Sequence, residues 1–210
     1  MALALRLRDA TRTLHSQAER AGLMPDLLRG QLPLAVFCAL QRNLHALYAA
    51  LEPALAGHAR HPALAPLPLA ELGRCAALAE DLQALHGPHW ARALALTAPT
   101  QAYVQRLQAL ADDQPTALVA HAYVRYLGDL SGGQLLSQRV RQAYALAGEA
   151  GTRFFDFGPP AQVARLAQQL RAGLDALPLD EAQQAAVVAE AQWAFVQHGL
   201  VFEALAASPA

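Results

Sequence analysis

The 210-residue chain contains no lysine; all 16 of its basic residues are arginine. Charged residues make up only 16 %, and 16 basic against 17 acidic side chains leave a net charge of −1. A chain so near neutrality has no global field for nucleic acid or an anionic membrane, and neither is expected as a partner. Cysteine is equally scarce. Cys38 and Cys75 sit in no CxxC or Cys/His metal spacing, so the pattern is neither a disulfide framework nor a zinc site, and two reduced, mostly buried thiols are expected. Long apolar runs are missing: no segment approaches the ~20 apolar residues of a membrane helix. Arg6, Arg8 and Asp9 interrupt the stretch where a secretory leader needs its apolar core, and nothing after Glu203 reads as an anchor. The expectation is a cytoplasmic protein. Clean apolar–polar alternation is absent as well, which removes the usual signal of half-buried strands.

What is present is enough to fold. Hydrophobic residues reach 54 %, which can fill a sizeable core and argues against disorder. Ala, Leu, Gln, Arg and Glu dominate, and these favour helix. The chain reads as one all-α domain over residues 1–210, with no internal repeat and no dividing linker. The first helix covers Leu3 to Glu19, with apolar side chains three and four apart, and Gly22 and Pro25 break the chain after it. Further helices are expected from Pro33 to Leu55, Leu69 to Leu85, Pro99 to Asp112, Pro115 to Leu146, Ala161 to Leu177 and Asp180 to Leu205. His58 to Pro68 and Gly148 to Pro160 read as loops, the second carrying Phe154, Phe155 and Phe157.

The anomaly lies in HAYVRYLGDLSGGQLL, which is helical on both sides yet holds Gly128, Gly132 and Gly133. Each helical glycine costs about 0.5–1 kcal/mol relative to alanine, and several together should bend or loosen the helix. Two readings stand side by side. A neighbouring helix packs into a small-residue notch, or a flat ligand lies against bare backbone. Gly128 and Gly132 are four apart and share a face. Arg125 and Asp129 are also four apart: either a simple intrahelical ion pair, or a carboxylate that holds water beside the ligand.

His15, in LHSQAER, lies on the flank of the first helix's apolar stripe. Glu19 is one turn further on the same face and can accept a proton from one ring nitrogen, which fixes the tautomer of an imidazole that binds metal through the other. Arg8 lies at nearly the same angular position, roughly 10 Å along the axis. That offset suits an iron ligand and a group pairing with a heme propionate, and neutral histidine is a common axial ligand to heme. The other histidines read differently. His58, His61, His86 and His89 fall near Pro or Gly in loops and are expected at the surface; His121 and His198 are expected as packed or hydrogen-bonded core residues.

Together these segments resemble the heme oxygenase family, from about Leu7 to Glu203. The most specific block is HAYVRYLGDLSGGQ, residues 121–134; LRDATRTLHSQAER, QAYVQRLQAL, GTRFFDF and AQWAFVQHGLVFEAL add to it. The resemblance implies heme b, cofactor and substrate at once, held between the first helix and the glycine helix. It implies cleavage to biliverdin, with attack at the α-meso carbon, release of iron and carbon monoxide, and dioxygen as co-substrate. His15 matches the iron ligand and Glu19 its hydrogen-bonding partner. Gly128 and Gly132 match the backbone over the opposite face, Asp129 the carboxylate that organises water there, and Arg125 and Tyr48 members of its polar network. Tyr123 and Arg171 match propionate contacts, Arg8 falls where the family often has lysine, and Phe195 matches an aromatic of the pocket wall. Ala167 departs from relatives with a further basic propionate contact, and His45 replaces an aromatic near Tyr48. An external donor such as a ferredoxin or flavoprotein reductase, a biliverdin acceptor and a monomeric state are further expectations. Two alternatives remain at this level: a heme carrier or sensor without turnover, and a helical interaction protein without cofactor.

Overall fold

A computed structural model describes residues 2–207. Ten α-helices and no strand occur among them: α1 Leu3–Ala18, α2 Met24–Arg29, α3 Leu34–Gly57, α4 Cys75–Leu85, α5 Trp90–Ala93, α6 Ala98–Asp113, α7 Leu118–Ala122, α8 Gly128–Ala143, α9 Pro160–Asp175 and α10 Glu181–Ala207. The expected all-α class holds. Most helices lie within a few residues of their expected bounds, and the differences have local causes. Pro25 does not end helical structure; it occupies the first turn of the short α2, where its missing N–H is no loss. The break before α2 belongs to Gly22, which has φ +49°, and a Cβ there would lie 2.1 Å from the Phe202 carbonyl oxygen of α10. The helix expected over 69–85 is split into a 3₁₀ turn at Leu69–Glu71 and α4. The split is held by Glu52 of α3, whose carboxylate accepts the N–H groups of Arg74 and Cys75 and so caps α4 from a distance. Trp90–Ala93 forms a single extra turn within an expected connection.

α1 packs on α10 and α9, α3 on α6 and α4, and α10 on α6 and α7. Leu3, Leu7 and Thr11 form the buried stripe of α1, and each fully buried leucine contributes about 1.5–3 kcal/mol. The first turn of α1 has no acidic residue and no cap of its own; Asp175 at the end of α9 supplies one by accepting the Ala4 N–H at 2.8 Å. Histidines follow the expected division only in part. His121 and His198 are buried and His86 and His89 exposed, but His58 and His61 are half-buried.

The helix expected over 115–146 is continuous in direction but not in winding. A 3₁₀ turn, Pro115–Ala117, leads into α7, a π-helical turn follows at Tyr123–Leu127, and α8 begins at Gly128. The departure from α geometry therefore precedes the glycines, which themselves lie in regular helix. The loop after α8 is more ordered than expected: Arg153–Phe155 make a 3₁₀ turn, and Phe154, Phe155 and Phe157 are all buried.

Candidate functional site

A cleft of about 1170 Å³, its open mouth included, separates α1 from α8. α3 and α10 form its sides. His15 and Glu19 line one face, Gly128, Asp129 and Gly132 another, and Leu27, Phe37, Leu40, Leu44, Leu136 and Phe202 make the interior apolar. The two readings of the glycine notch can now be separated residue by residue. A Cβ built on Gly128 or Gly132 meets nothing within 4 Å, so these two face open space. Gly133 is different: its Cβ would meet the Phe155 carbonyl oxygen at 3.4 Å, an ordinary contact, so it faces a neighbouring segment and not open space. The notch is thus divided: Gly128 and Gly132 face the cleft, and Gly133 faces the Phe155 segment.

His15 continues the Leu3–Leu7–Thr11 row of α1 one turn beyond the closed core. Its side chain is half exposed because that row opens into the cleft there. Nδ1 stands 3.7 Å from the Glu19 carboxylate, and the ring packs edge-on against Phe195 at 5.8 Å. This leaves Nε2 as the nitrogen without a carboxylate neighbour. The second role for Phe195, a cleft wall, is also observed.

Opposite lies a closed polar triangle. Arg125 donates from Nη2 to Asp129 Oδ1 at 2.8 Å and from Nε to the Tyr48 hydroxyl at 3.2 Å, and that hydroxyl donates to Asp129 Oδ2. The Arg125–Asp129 pair is not an exposed helix pair; its side chains are only 12 % and 8 % exposed. Burial raises the Asp129 carboxyl above its ordinary range, while Arg125 and the Tyr48 hydrogen bond work against the rise. Burial works to lower the Arg125 guanidinium, but Asp129 and Tyr48 outweigh it and it stays firmly charged. Each carboxylate oxygen spends one acceptor site inside the triangle, and Asp129 still reaches the cleft.

Arg8, Tyr123 and Arg171 gather in a second neighbourhood and do not line the cleft. The Tyr123 hydroxyl meets Thr11 Oγ1 of α1 at 3.3 Å. Burial raises its pKa, whereas the Thr11 hydrogen bond and the charges of Arg171 and Arg8 lower it, which places both cations near one phenol. Arg171 has no hydrogen bond or ion pair among the described residues, while the exposed Arg8 contacts Asp9. Of the two departures noted, Ala167 is buried in α9, and His45 lies outside the cleft lining and meets Trp90 edge-on at 4.8 Å.

Sequence reasoning missed four lining residues. Phe154 and Phe155 wall the cleft from a segment that reads as loop. Gln41 and His198 also line it, both buried, and the polar side-chain atoms of both lack partners among the described residues. The spacing of Phe195, His198 and Phe202 on one face of α10 was the available signal for the last.

An apolar slot with bare backbone on one side, an imidazole on the other and cations outside one edge fits a flat, largely apolar macrocycle with acidic substituents. Comparison with known proteins agrees. The heme oxygenase family model matches residues 1–204. The chain belongs to the heme oxygenase family. A heme oxygenase of Porphyra purpurea is 39 % identical over 206 residues, covering 98 % of this chain and 87 % of the relative. Heme oxygenase 1 of Gallus gallus is also 39 % identical, over 95 % of this chain and 68 % of its own length. The crystal structure of heme oxygenase-2 from Synechocystis sp. PCC 6803 in complex with heme and NO superposes with a TM-score of 0.93 at 38 % identity, covering 98 % of this chain and 85 % of that one. Heme oxygenase-1 of the same organism, in complex with heme, gives 0.90 at 36 %, over 96 % and 91 %. With the family come the activity, oxidative degradation of heme, and the binding of heme.

Proposed function

We propose that His15 is the axial ligand to iron and that Asp129, Tyr48 and Arg125 are the polar group acting on the opposite face. The observation that carries this reading is the facing pair: an imidazole on α1 and, across an apolar cleft, two glycines whose Cβ positions are open beside a buried carboxylate. Heme b is the substrate and supplies, when bound, the redox centre at which dioxygen is activated. Everything else falls to the chain. Glu19 accepts the Nδ1 proton of His15 and so keeps Nε2 free of a proton and available to metal. Tyr48 and Arg125 fix the Asp129 carboxylate, which accepts a hydrogen bond from a water in the cleft and so orients the water that delivers the proton. The charge of Arg125 favours the ionised carboxylate that burial opposes. Gly128 and Gly132 leave main chain alone against the macrocycle, which restricts where an oxygen atom can lean. Arg8, Tyr123 and Arg171 pair with the propionates and set the rotation of heme in its plane. The product is biliverdin, the α isomer, with iron and carbon monoxide.

The electrons come from an external ferredoxin or flavoprotein reductase that docks at the arginine-bearing edge, and a biliverdin acceptor receives the product. The chain works as one cytoplasmic domain and as a monomer. Reconstitution with hemin, aerobic reduction and chromatography of the product test the reading. The expected result is loss of the Soret band with a rising biliverdin absorbance and one α-configured isomer. A different isomer would remove the propionate assignment alone; a stable Soret band under turnover conditions would remove the roles given to Asp129 and its partners.

A further inference from the structure

Asp81 in α4 is completely buried and lies outside the cleft lining. It forms no ion pair among the described residues. Its oxygens are spent on main chain: Oδ1 accepts the N–H of Arg153 at 2.9 Å and Oδ2 the N–H of Phe154 at 2.8 Å. Burial raises its carboxyl, and the N–H donors of Phe154, Arg153 and Gly151 oppose the rise. Burying a carboxylate is costly unless its acceptors are filled. What the hydrogen bonds secure here is a turn, Arg153–Phe155, in a segment with little regular structure of its own.

That turn touches the distal group directly. The Phe154 ring meets Tyr48 edge-on at 5.9 Å, and the Tyr48 hydroxyl donates to Asp129. Phe155 sits against Gly133 and packs on Phe154 at 5.0 Å. α4 grips the same segment a second time through the residue before it, since Arg74 donates from Nη1 to the Asp156 carbonyl and lies over the Phe157 ring at 3.9 Å. We propose that Asp81 is a positioning residue for the reaction: by fixing the Arg153–Phe155 turn it holds Phe154 against Tyr48, and so sets where the Tyr48 hydroxyl meets Asp129. The inference rests on the roles proposed above for Tyr48 and Asp129.

The test uses the full chain with hemin bound and reads the midpoint of the acid–alkaline absorbance transition of the ferric complex. That midpoint responds to hydrogen bonding on the open face of the heme and not to fold stability. Asp81→Asn keeps the shape but offers an N–H₂ where a backbone N–H needs an acceptor. Phe154→Leu leaves Asp81 and its main-chain hydrogen bonds in place and removes the ring that meets Tyr48, so it carries the test if Asp81→Asn does not fold; because Phe154 also walls the cleft, its shift counts only where the Tyr48→Phe background abolishes it. Each is expected to move the midpoint by roughly half a pH unit, about three-fold in the equilibrium constant. In a Tyr48→Phe background, which keeps the ring and deletes the hydroxyl, neither should move it, as required when two residues act through one path. The inference is overturned by an unchanged midpoint in the single variants, or by equal shifts in both backgrounds. If Tyr48→Phe alone leaves the midpoint unchanged, the reading of Tyr48 and Asp129 falls and takes the inference with it. If Tyr48→Phe shifts the midpoint and Asp81→Asn and Phe154→Leu do not, only the role of Asp81 falls.

Discussion

At the scale of single residues, the two faces of the cleft make different demands. His15 is half exposed and its one ring contact is edge-on with Phe195 at the cleft, so His15→Ala should leave the apoprotein folded, with an unchanged circular dichroism spectrum. Its hemin complex should lose the axial imidazole signature and bind at least ten-fold more weakly by Soret titration. Asp129 is embedded. Asp129→Ala leaves Arg125 buried without its carboxylate, so it should lower the melting temperature, still take up hemin, and cut biliverdin yield by on the order of 10²-fold, as the loss of the group that orients a proton-delivering water does. His198 adds a pH dependence. Burial, then Arg125 and His121, hold its pKa well below 6.5. An imidazole that resists protonation only when folded stabilises the fold above pH 6.5, and that contribution is lost as pH falls below it, by about 1.4 kcal/mol per pH unit. His198→Leu should therefore match the parent chain at neutral pH and melt with a shallower decline between roughly pH 6.5 and 5. An unchanged slope in thermal melts would assign the acid sensitivity elsewhere, with the similarly lowered His121 next in line.

At the scale of elements, helical periodicity located the helices because each buries one face against a neighbour, and that pattern is written into every turn. What it left out depends on partners distant in the chain. The start of α4 is fixed by Glu52, 22 residues earlier, and the turn at 153–155 by Asp81, 72 residues earlier. No local pattern carries either. The site was more legible than its supports, since His15, Glu19, Gly128 and Asp129 lie in two short blocks, whereas Phe154 looked like loop and Gln41 like an ordinary helical glutamine. The glycines of α8 yield a prediction with opposite signs. Gly128→Ala should stabilise the apoprotein by about 0.5–1 kcal/mol, because its backbone is helical and the new methyl group meets nothing, yet weaken hemin binding, because the methyl group enters the slot. Gly133→Ala should differ: its methyl group meets Phe155 at ordinary contact distance and outside the slot, so hemin titration should be disturbed less than by Gly128→Ala. Parallel melts and Soret titrations of the two variants decide the matter; identical behaviour would show that the notch serves one purpose only.

At the scale of the molecule, α6, α7 and α10 are joined by a buried polar chain. Tyr103 meets His121 Nδ1 at 2.9 Å, His121 Nε2 meets Glu190 at 3.1 Å, and Arg106 grips Glu190 through two bonds of 3.2 and 2.6 Å. Burial works to raise the Glu190 carboxyl, but His121 and Arg106 pull it down to about 2 from 4.5. A carboxyl held low by folding stabilises the fold above pH 4.5, and that stabilisation disappears as pH falls toward 2. It amounts to about 3 kcal/mol. Glu190→Gln should thus be less stable than the parent chain at pH 7 and close most of the gap near pH 2.5, as read by urea melts at the two pH values. The π-helical turn acts on the whole molecule in another way. It takes up one residue more than an α-helical turn would, and each residue advances a helix by about 100°. Winding all of Tyr123–Leu127 as ordinary α-helix would turn everything after it by about that angle, whereas the wide turn absorbs the surplus residue; deleting one residue there should therefore restore plain helix and leave Gly128, Asp129 and Gly132 facing nearly the same way. The reacting face of this molecule is, in that sense, a matter of phase: one wide turn swallows a surplus residue and so keeps the second half of a long rod at the angle at which its bare side looks across at His15.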